Sequence, residues 1–595
     1  MKTNSSLPKF HSPLDFLPPK LVAHFKQIYD IKNLLQWQIE CLLTLKPTIE
    51  ESFDNIVIRA PTGAGKSLIS DLLSLHMLTI KKKGAKVIYV VPYVSLLFEK
   101  YEKLQSLFSP LNLSVLNLLG NKPYSLFDKA DIILCTIEKA NTLIYGLIEK
   151  NELKALSMLV VDEVQFVGDE QRGALLEILI AKILYAQRYI YNEVQILAIS
   201  ATIDNFFDFV TWMKAKYYEC SISCTNIEEY VKVGNKLLSS SGKVIKVIKE
   251  QSNDKYKICA LVDLVLNKGP ILIFSSSKFI CEEIAKTLSD HKANEVNTTE
   301  FLKDAIEKAQ LVESRMTNKV EWLLKGIACH HAGLLAEERV FIENLYRSLA
   351  VNILICTSTL AAGVNLPVSI VIIVGLTQGL LQISVSTYKQ MRGRAGRTTF
   401  KGQCYIICRE AELKGALKLI NSMDVKNPVL STLDKGNNSM RKLLLEGISL
   451  KCIKDNVNTY INFTLLNTRS YEDKALDEAL KFLVEHELIV EKDLIATQLG
   501  VIIARSGHHI EEMLIAYWEL QAANIKYLPC NKAFALYLIS PVFWINEKQA
   551  SWVHYLTYYK KHLDEHEDLK KTANYLSINE DYIIAWTQIT TPDRV

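Results

Sequence analysis

"NIVIRAPTGAGKSLISDLL", residues 55–73, runs from an apolar strand through a glycine-rich turn into a helix. That order turns a glycine-rich loop into a phosphate cradle: backbone amides at the helix start converge on one point, and small residues let an anion approach. Within it, "APTGAGKS" (60–67) offers the amides of Thr62, Gly63, Ala64, Gly65 and Lys66 to a β-phosphate. Lys66 can reach the β- and γ-phosphates, and the Ser67 hydroxyl can ligate Mg2+. A strand that feeds such a turn belongs to a parallel sheet, so more buried strands should flank it.

Four further apolar runs end in polar turns: "AKVIYVVPYVSLL" (85–97), "ADIILCTIEKA" (130–140), "LSMLVVDEVQFV" (156–167) and "VQILAISATI" (194–203). Helical patterns such as "GALLEILIAKILY" (173–185) lie between them, and buried strands alternating with helices give a doubly wound sheet. After the connector "NIEEYVKVGNKLLSSSGK" (226–243) the alternation restarts with "GPILIFSSSK", "GIACHHAGL", "VNILICTSTLAAG", "SIVIIVGL" and "GQCYIICR". The chain therefore carries two α/β domains in tandem. From about Leu413 helices take over. "SYEDKALDEALKFLVEHELI" (470–489) sets Ala475, Leu476, Ala479, Leu480 and Leu483 on one helical face, and "VEKDLIATQLGVIIA" (490–504) reads as a small strand pair, together a winged-helix module. The remainder is helical and aromatic-rich. The expected domains are 1–225, 226–412, 413–506 and 507–595.

A chain of 595 residues exceeds one hydrophobic core and accommodates three to four domains at about 150 residues each. Hydrophobic residues at 49% and charged residues at 23% match globular proteins and argue against disorder. The net charge of +4 is small for this length, so a nucleic-acid partner would be held by local grooves and backbone amides instead of a global field. Twelve cysteines without C-x-x-C spacing read as reduced and intracellular. The pairs Cys220/Cys224 and Cys404/Cys408 are read as buried small side chains, and His330 and His331 as loop residues, not metal ligands. "KKKGAK" (81–86) reads as a solvated turn. No signal peptide and no membrane span is expected.

"VVDEVQ" ends a strand with Asp162 and Glu163 side by side at the edge where doubly wound sheets bind ligands. A DE pair alone is a solvated loop. Behind a phosphate loop it is the second half of a nucleoside-triphosphate site, Asp162 holding Mg2+ and Glu163 orienting and deprotonating the attacking water. Ser200, Ala201 and Thr202 in "ISATI" supply hydroxyls that can bond to the carboxylate loop. "YKQMRGRAGR" (388–397) packs Arg392, Arg394 and Arg397 around small residues. A permanently charged planar fork suits phosphate, and an arginine reaching across from the second domain is worth roughly 10³ to 10⁵ in hydrolysis rate.

"APTGAGKS", "DEVQ", "SAT", "TSTLAAGVNLP" and "QMRGRAGR", in that order, resemble the motifs of superfamily-two helicases. "QWQIECL", "CTIEKANTLI", "EEYVKVGN", "CHHAGL" and "YKQMRGRAGR" narrow the likeness to the HELQ and DNA polymerase theta helicase-domain branch, from about Leu35 to Phe543. The resemblance implies two RecA-like domains, a winged helix and a short helical C-terminal domain. It implies that Gln38 reads adenine, that Gly363 in "TSTLAAGVNLP" lines the nucleotide site, and that Gln390, Arg394 and Arg397 contact the triphosphate. It assigns Pro92, Thr136 and Thr357 to single-strand phosphates, and a duplex-separating hairpin to "SIVIIVGLTQGLLQISVSTYKQ" (369–390). The implied activity is ATP-dependent, 3′ to 5′ movement on single-stranded DNA with separation of tailed duplex, in repair or fork processing, by an intracellular DNA-associated protein.

Three positions depart from that branch. Gln165 stands where His is expected, so hydrolysis should survive with altered coupling. Arg392 stands where an uncharged residue is expected and is read as solvated. After "ALYLISPVF" (535–543) the chain ends within about fifty residues, where the family continues into a ratchet domain, so unwinding is expected to be weaker. Trp552, Tyr555 and Tyr559 share a helical face that either stacks on bases or docks a short helix. Two alternatives stay open: an RNA helicase of the same superfamily, and a non-unwinding ATP-gated DNA clamp or annealing subunit serving a repair polymerase or nuclease.

Overall fold

The computed structural model describes residues 14–525 apart from 62, 83, 119–123, 171, 202, 221–226, 250–253, 292–319, 332, 335, 358–359, 361–365, 379–380, 397–401, 422–427, 435–436, 454–456, 470–473 and 491, together with residue 581. Seven strands make the first sheet: β1 (Ile56–Arg59), β2 (Lys86–Val91), β3 (Val115–Leu118), β4 (Ile132–Thr136), β5 (Leu156–Val161), β6 (Gln195–Ser200) and β7 (Lys216–Glu219). Their order is β3-β4-β2-β5-β6-β1-β7, and every pairing is parallel. β5 and β6 are buried along their whole length, which is why they read as unbroken apolar runs. Helices Gln36–Glu51, Lys66–His76 and Val94–Phe108 supply Leu42, Leu72 and Leu104 to one core with Val87 and Val160. This order sets the ends of β5, β6 and β1 side by side.

The second sheet holds β8 (Ile227–Val233), β9 (Lys236–Ser239), β10 (Val244–Val247), β11 (Ile271–Phe274), β12 (Ile327–His330), β13 (Ile353–Cys356) and β14 (Ile370–Val374). A separate hairpin of β15 (Thr377–Gln378) and β16 (Leu381–Gln382) follows, and then β17 (Gly402–Cys408) completes the sheet. The order is β10-β9-β8-β17-β14-β11-β13-β12, parallel except for the β8-β9-β10 meander. The helix Leu413–Asn421 packs on this same sheet through Ala416 and Ile420, so the second layer extends past Leu413.

Residues 433–459 and 472–595 form a second compact unit. In it, helices Asn437–Ser449, Lys474–Glu485 and Gln498–Ser506 surround the hairpin of β18 (Ile489–Val490) and β19 (Ile495–Ala496). This is the expected helix and strand pair. Leu476, Ala479 and Leu483 are buried, while Ala475 and Leu480 are half-buried at the edge of the stripe. Gly500 lies so close to Leu488 that a Cβ would sit 2.0 Å from its carbonyl oxygen, which fixes helix against hairpin. Trp552, Tyr555 and Tyr559 lie outside the described residues.

The lysine run 81–86 is not solvated. Lys81 donates to the carbonyls of Thr48 and Ser52 at the end of helix Gln36–Glu51, and burial pushes its ammonium down to about 8. Lys82 bonds to Tyr191 Oη at 2.7 Å, and Lys86 to the carbonyls of Phe127, Asp128 and Ala130. Exposed helix-end carbonyls attract cations, and no sequence pattern announces that. His330 and His331 each meet a carboxylate, Glu343 at 2.9 Å and Glu282 at 3.3 Å. Among the described residues no group of three or more His, Cys, Asp or Glu side chains is placed to hold a metal ion, and no helix is long and apolar enough to cross a membrane.

Candidate nucleotide and nucleic-acid site

The loop between β1 and helix Lys66–His76 is built by glycine geometry and by what braces it from outside. Gly63 and Gly65 adopt φ +80° and +83°, where a side chain is strained. A Cβ on Gly65 would also come within 2.8 Å of Gln38 Nε2. Trp37 Nε1 donates to Ala64 O at 3.1 Å, and Gln38 Nε2 to Gly65 O at 3.4 Å while Gln38 Oε1 accepts from Leu35 N. Two consecutive side chains thus pin two consecutive loop carbonyls. Lys66 Nζ donates to Ala60 O at 3.0 Å and Pro61 O at 3.2 Å, which holds the ammonium at the loop.

Asp162 and Glu163 follow β5. Glu163 sits in the left-handed region at φ 57°, ψ 50°, an uncommon conformation for a non-glycine residue and one that concentrates at functional sites. Its side chain accepts from Gln165 Nε2, and Gln165 Oε1 accepts from Ser200 Oγ at 2.8 Å at the end of β6. The chain Ser200–Gln165–Glu163 therefore runs from the neighbouring strand end to the candidate general base. Burial, then Glu163, push the Asp162 carboxyl up to about 6, against the pull of Lys100 and Lys66. Two carboxyl groups crowded behind a phosphate loop, with the Ser67 hydroxyl at the adjoining helix start, form a donor set that suits a hard divalent cation.

Behind the loop lies a buried polar network that motif reading missed. Asp71, fully buried in the helix that begins at Lys66, meets Lys100 Nζ at 2.5 Å and Tyr89 Oη at 3.0 Å, and accepts from Tyr29 Oη. Tyr89 Oη also bonds to Ser74 Oγ at 2.7 Å. Desolvation drives both tyrosine hydroxyls well above their usual range, so they stay neutral donors. The signal was present in the polar residues Ser70, Asp71 and Ser74 inside an otherwise leucine-rich helix. Trp37 had no comparable signal.

Pro92 and Thr136 lie at adjacent strand ends, because Val91 of β2 is opposite Thr136 of β4. Thr136 is buried at the start of helix Ile137–Glu149. Thr357 follows β13 in the second layer and is half-buried. Gln390 lies in helix Val385–Arg392, half-buried, and Arg394 in the turn after it is buried, its charge pulling down the Cys356 thiol at the end of β13. Thr62, Gly363 and Arg397 lie outside the described residues. The β15–β16 hairpin pairs Thr377 with Gln382 within the stretch expected to hold a hairpin. Arg392 is a correction: its Nε lies 2.9 Å from Glu229 Oε1, with side chains 16% and 11% exposed, and Tyr388 Oη donates to the same carboxylate oxygen. It is an ion-paired structural residue, and the side chain opposite, in β8, was not legible from its own motif.

Residues 38–209 match the DEAD/DEAH box helicase family, 256–399 the helicase conserved C-terminal domain and 402–490 a helix-turn-helix domain. The chain is 31% identical over 88% of its length to DNA polymerase theta of Drosophila melanogaster, covering 28% of that protein. It is 30% identical over 83% of its length to the human helicase POLQ-like protein, covering 47% of it. It is 32% identical over 76% of its length to the ATP-dependent DNA helicase Hel308 of Thermoplasma volcanium, covering 65% of it. The chain thus spans between about a quarter and two thirds of these relatives. The two helicase matches fall in order on the two sheets whose strand ends carry the motifs, and the chain belongs to the superfamily-two helicases.

Proposed function

We propose that the chain is an ATP-dependent DNA helicase or translocase that moves 3′ to 5′ on single-stranded DNA and separates tailed duplex, in repair or fork processing. The observation that carries this is the line Ser200–Gln165–Glu163 ending beside Asp162 and the Lys66 loop. The printed names of the relatives, a DNA helicase among them, support DNA as the track.

In this function the amides of residues 62 to 66 and Lys66 hold the triphosphate, and Gln38, already braced on Gly65, lies beside the loop to meet adenine. Ser67 and Asp162 would hold Mg2+, which supplies charge neutralisation on the phosphates. Glu163 takes the proton of the attacking water, and Gln165 fixes one carboxylate oxygen so that the other faces the reacting atom. Gln390, Arg394 and Arg397 complete the site from the second layer when the two layers close, with Gly363 beside them. Pro92, Thr136 and Thr357 meet the strand, and the β15–β16 hairpin parts the duplex.

Lys66→Ala or Glu163→Gln should lower DNA-stimulated ATP hydrolysis by roughly 10³-fold with an unchanged melting temperature, measured by steady-state phosphate release. Full turnover in either variant would sink the assignment. Stimulation by single-stranded RNA in place of DNA would redirect the track, and hydrolysis without displacement on a 3′-tailed duplex would point to a clamp.

A further inference from the structure

Three neighbouring strands, β4, β2 and β5, end on the edge that carries Thr136, Pro92 and the carboxylate loop, and one side chain reaches all three ends. Arg172 Nη1 donates to Pro92 O at 2.6 Å, and its Nε lies 3.2 Å from Glu138 Oε1, two residues past Thr136. Its guanidinium stands 5.7 Å from the centre of the Tyr93 ring, which meets Phe166 edge-on at 5.4 Å. Phe166 lies in the turn Val164–Gly168 that starts immediately after Glu163.

The backbone of Arg172 is fused to that same turn. Arg172 N donates to Asp169 Oδ1 at 2.9 Å, and Gly173 N to Asp169 O at 2.9 Å. Gly173 is pressed against the turn so closely that a Cβ would lie 2.1 Å from Val167 O. Backbone and side chain together leave the turn little freedom to shift without carrying Pro92 and Glu138 with it. Only a forked guanidinium can bond a carbonyl, pair a carboxylate and stand by an aromatic ring at once. The pair with Glu138 is exposed, 39% and 43%, so solvent screening leaves it little weight in stability. Its geometry is better accounted for by transmission than by folding.

We propose that Arg172 is a positioning residue that couples the carboxylate loop of the nucleotide site to the two loops that meet the nucleic-acid strand. The proposal rests on the helicase function above. Coupling is reciprocal: if nucleotide state moves the Pro92 and Thr136 loops, a bound nucleotide must change the affinity for the strand.

The full chain is titrated with a fluorescent single-stranded DNA oligonucleotide, with and without a non-hydrolysable ATP analogue and Mg2+, for the native protein, Arg172→Lys and Glu138→Gln. The native protein should show a ratio of dissociation constants of about fivefold or more between the two states. Arg172→Lys should bring that ratio to within about twofold of one, and Glu138→Gln should reduce it in part, with melting temperatures close to native. An Arg172→Lys protein that keeps the native ratio overturns the coupling, as does one that loses DNA affinity equally in both states, which would mark Arg172 as a simple phosphate contact. A native protein that binds no nucleotide overturns the helicase function itself, and that result is read separately in the nucleotide titration.

Discussion

Single residues in this chain do more when their partners come from elsewhere in sequence. The phosphate loop was legible because its chemistry is local: glycine at φ near +80°, a lysine and a hydroxyl within five positions. Gln165 was legible as a departure, yet its use became visible only with Ser200, thirty-five residues on, accepting its place between strand ends. Arg392 was misread for the same reason, since Glu229 lies 163 positions before it and no spacing rule joins them. The pair predicts a stability effect without a large catalytic one. Exposed ion pairs are worth up to about 1 kcal/mol and breaking buried ones costs about 3–5 kcal/mol; this pair, mostly buried, lies between. Arg392→Ala should destabilise the protein by about 2 kcal/mol in denaturant unfolding, with Glu229→Ala costing a similar amount and the double variant less than the sum. Additive losses would mean that the two side chains do not act on each other.

At the scale of elements, the alternation of apolar runs and helices was enough to place both parallel sheets, because a strand buried on both faces has few ways to read otherwise. What the pattern could not show is which later segment covers which helix. Helix Gly173–Tyr189 is buried along most of its length, and residues 460–469 dock on it: Tyr185 meets Tyr460 and Phe463 edge-on, and Glu177 Oε1 accepts from Leu466 N at 2.9 Å. Trp212 Nε1 adds a bond to Phe463 O at 2.7 Å. Burial pushes Glu177 up to about 7, opposed by bonds from Ser431 and the amides of Leu466 and Leu465 and by the charge of Arg469. The folded value is thus above the unfolded one of about 4.3, so the folded state binds the proton more tightly. Stability from this group is then full below the unfolded value and falls as pH rises toward and through 7. Glu177→Gln, which keeps the acceptor and removes the charge, should raise the melting temperature at pH 8 and leave it unchanged at pH 4, an effect of up to about 3 kcal/mol. Equal melting temperatures for variant and native protein at pH 8 would show that the carboxylate is not strained by burial there.

For the whole molecule, charge constrains how a track can be held. A net charge of +4 on 595 residues leaves no broad positive field, and several lysines that looked available are committed to helix ends and carbonyls, Lys81 and Lys86 among them. The candidate track positions, Pro92, Thr136 and Thr357, offer backbone groups and hydroxyls, which bind phosphate without displacing a counterion for each contact. Counterion release for single strands gives a slope of log K against log salt of about −0.7 for each phosphate neutralised by a cation. With about three such contacts the expected slope is about −2, far from the value near −10 of proteins that bind through large basic surfaces. Anisotropy titrations of a single-stranded oligonucleotide across a range of salt concentrations would measure it, with the nucleotide state fixed so that coupling does not enter the slope. A steep dependence would place the track on a basic surface outside these loops and remove the physical ground for assigning it to the strand ends. A shallow one would mean that the grip is set by loop geometry, so that a helicase of nearly neutral charge can release and re-engage its strand whenever those loops move.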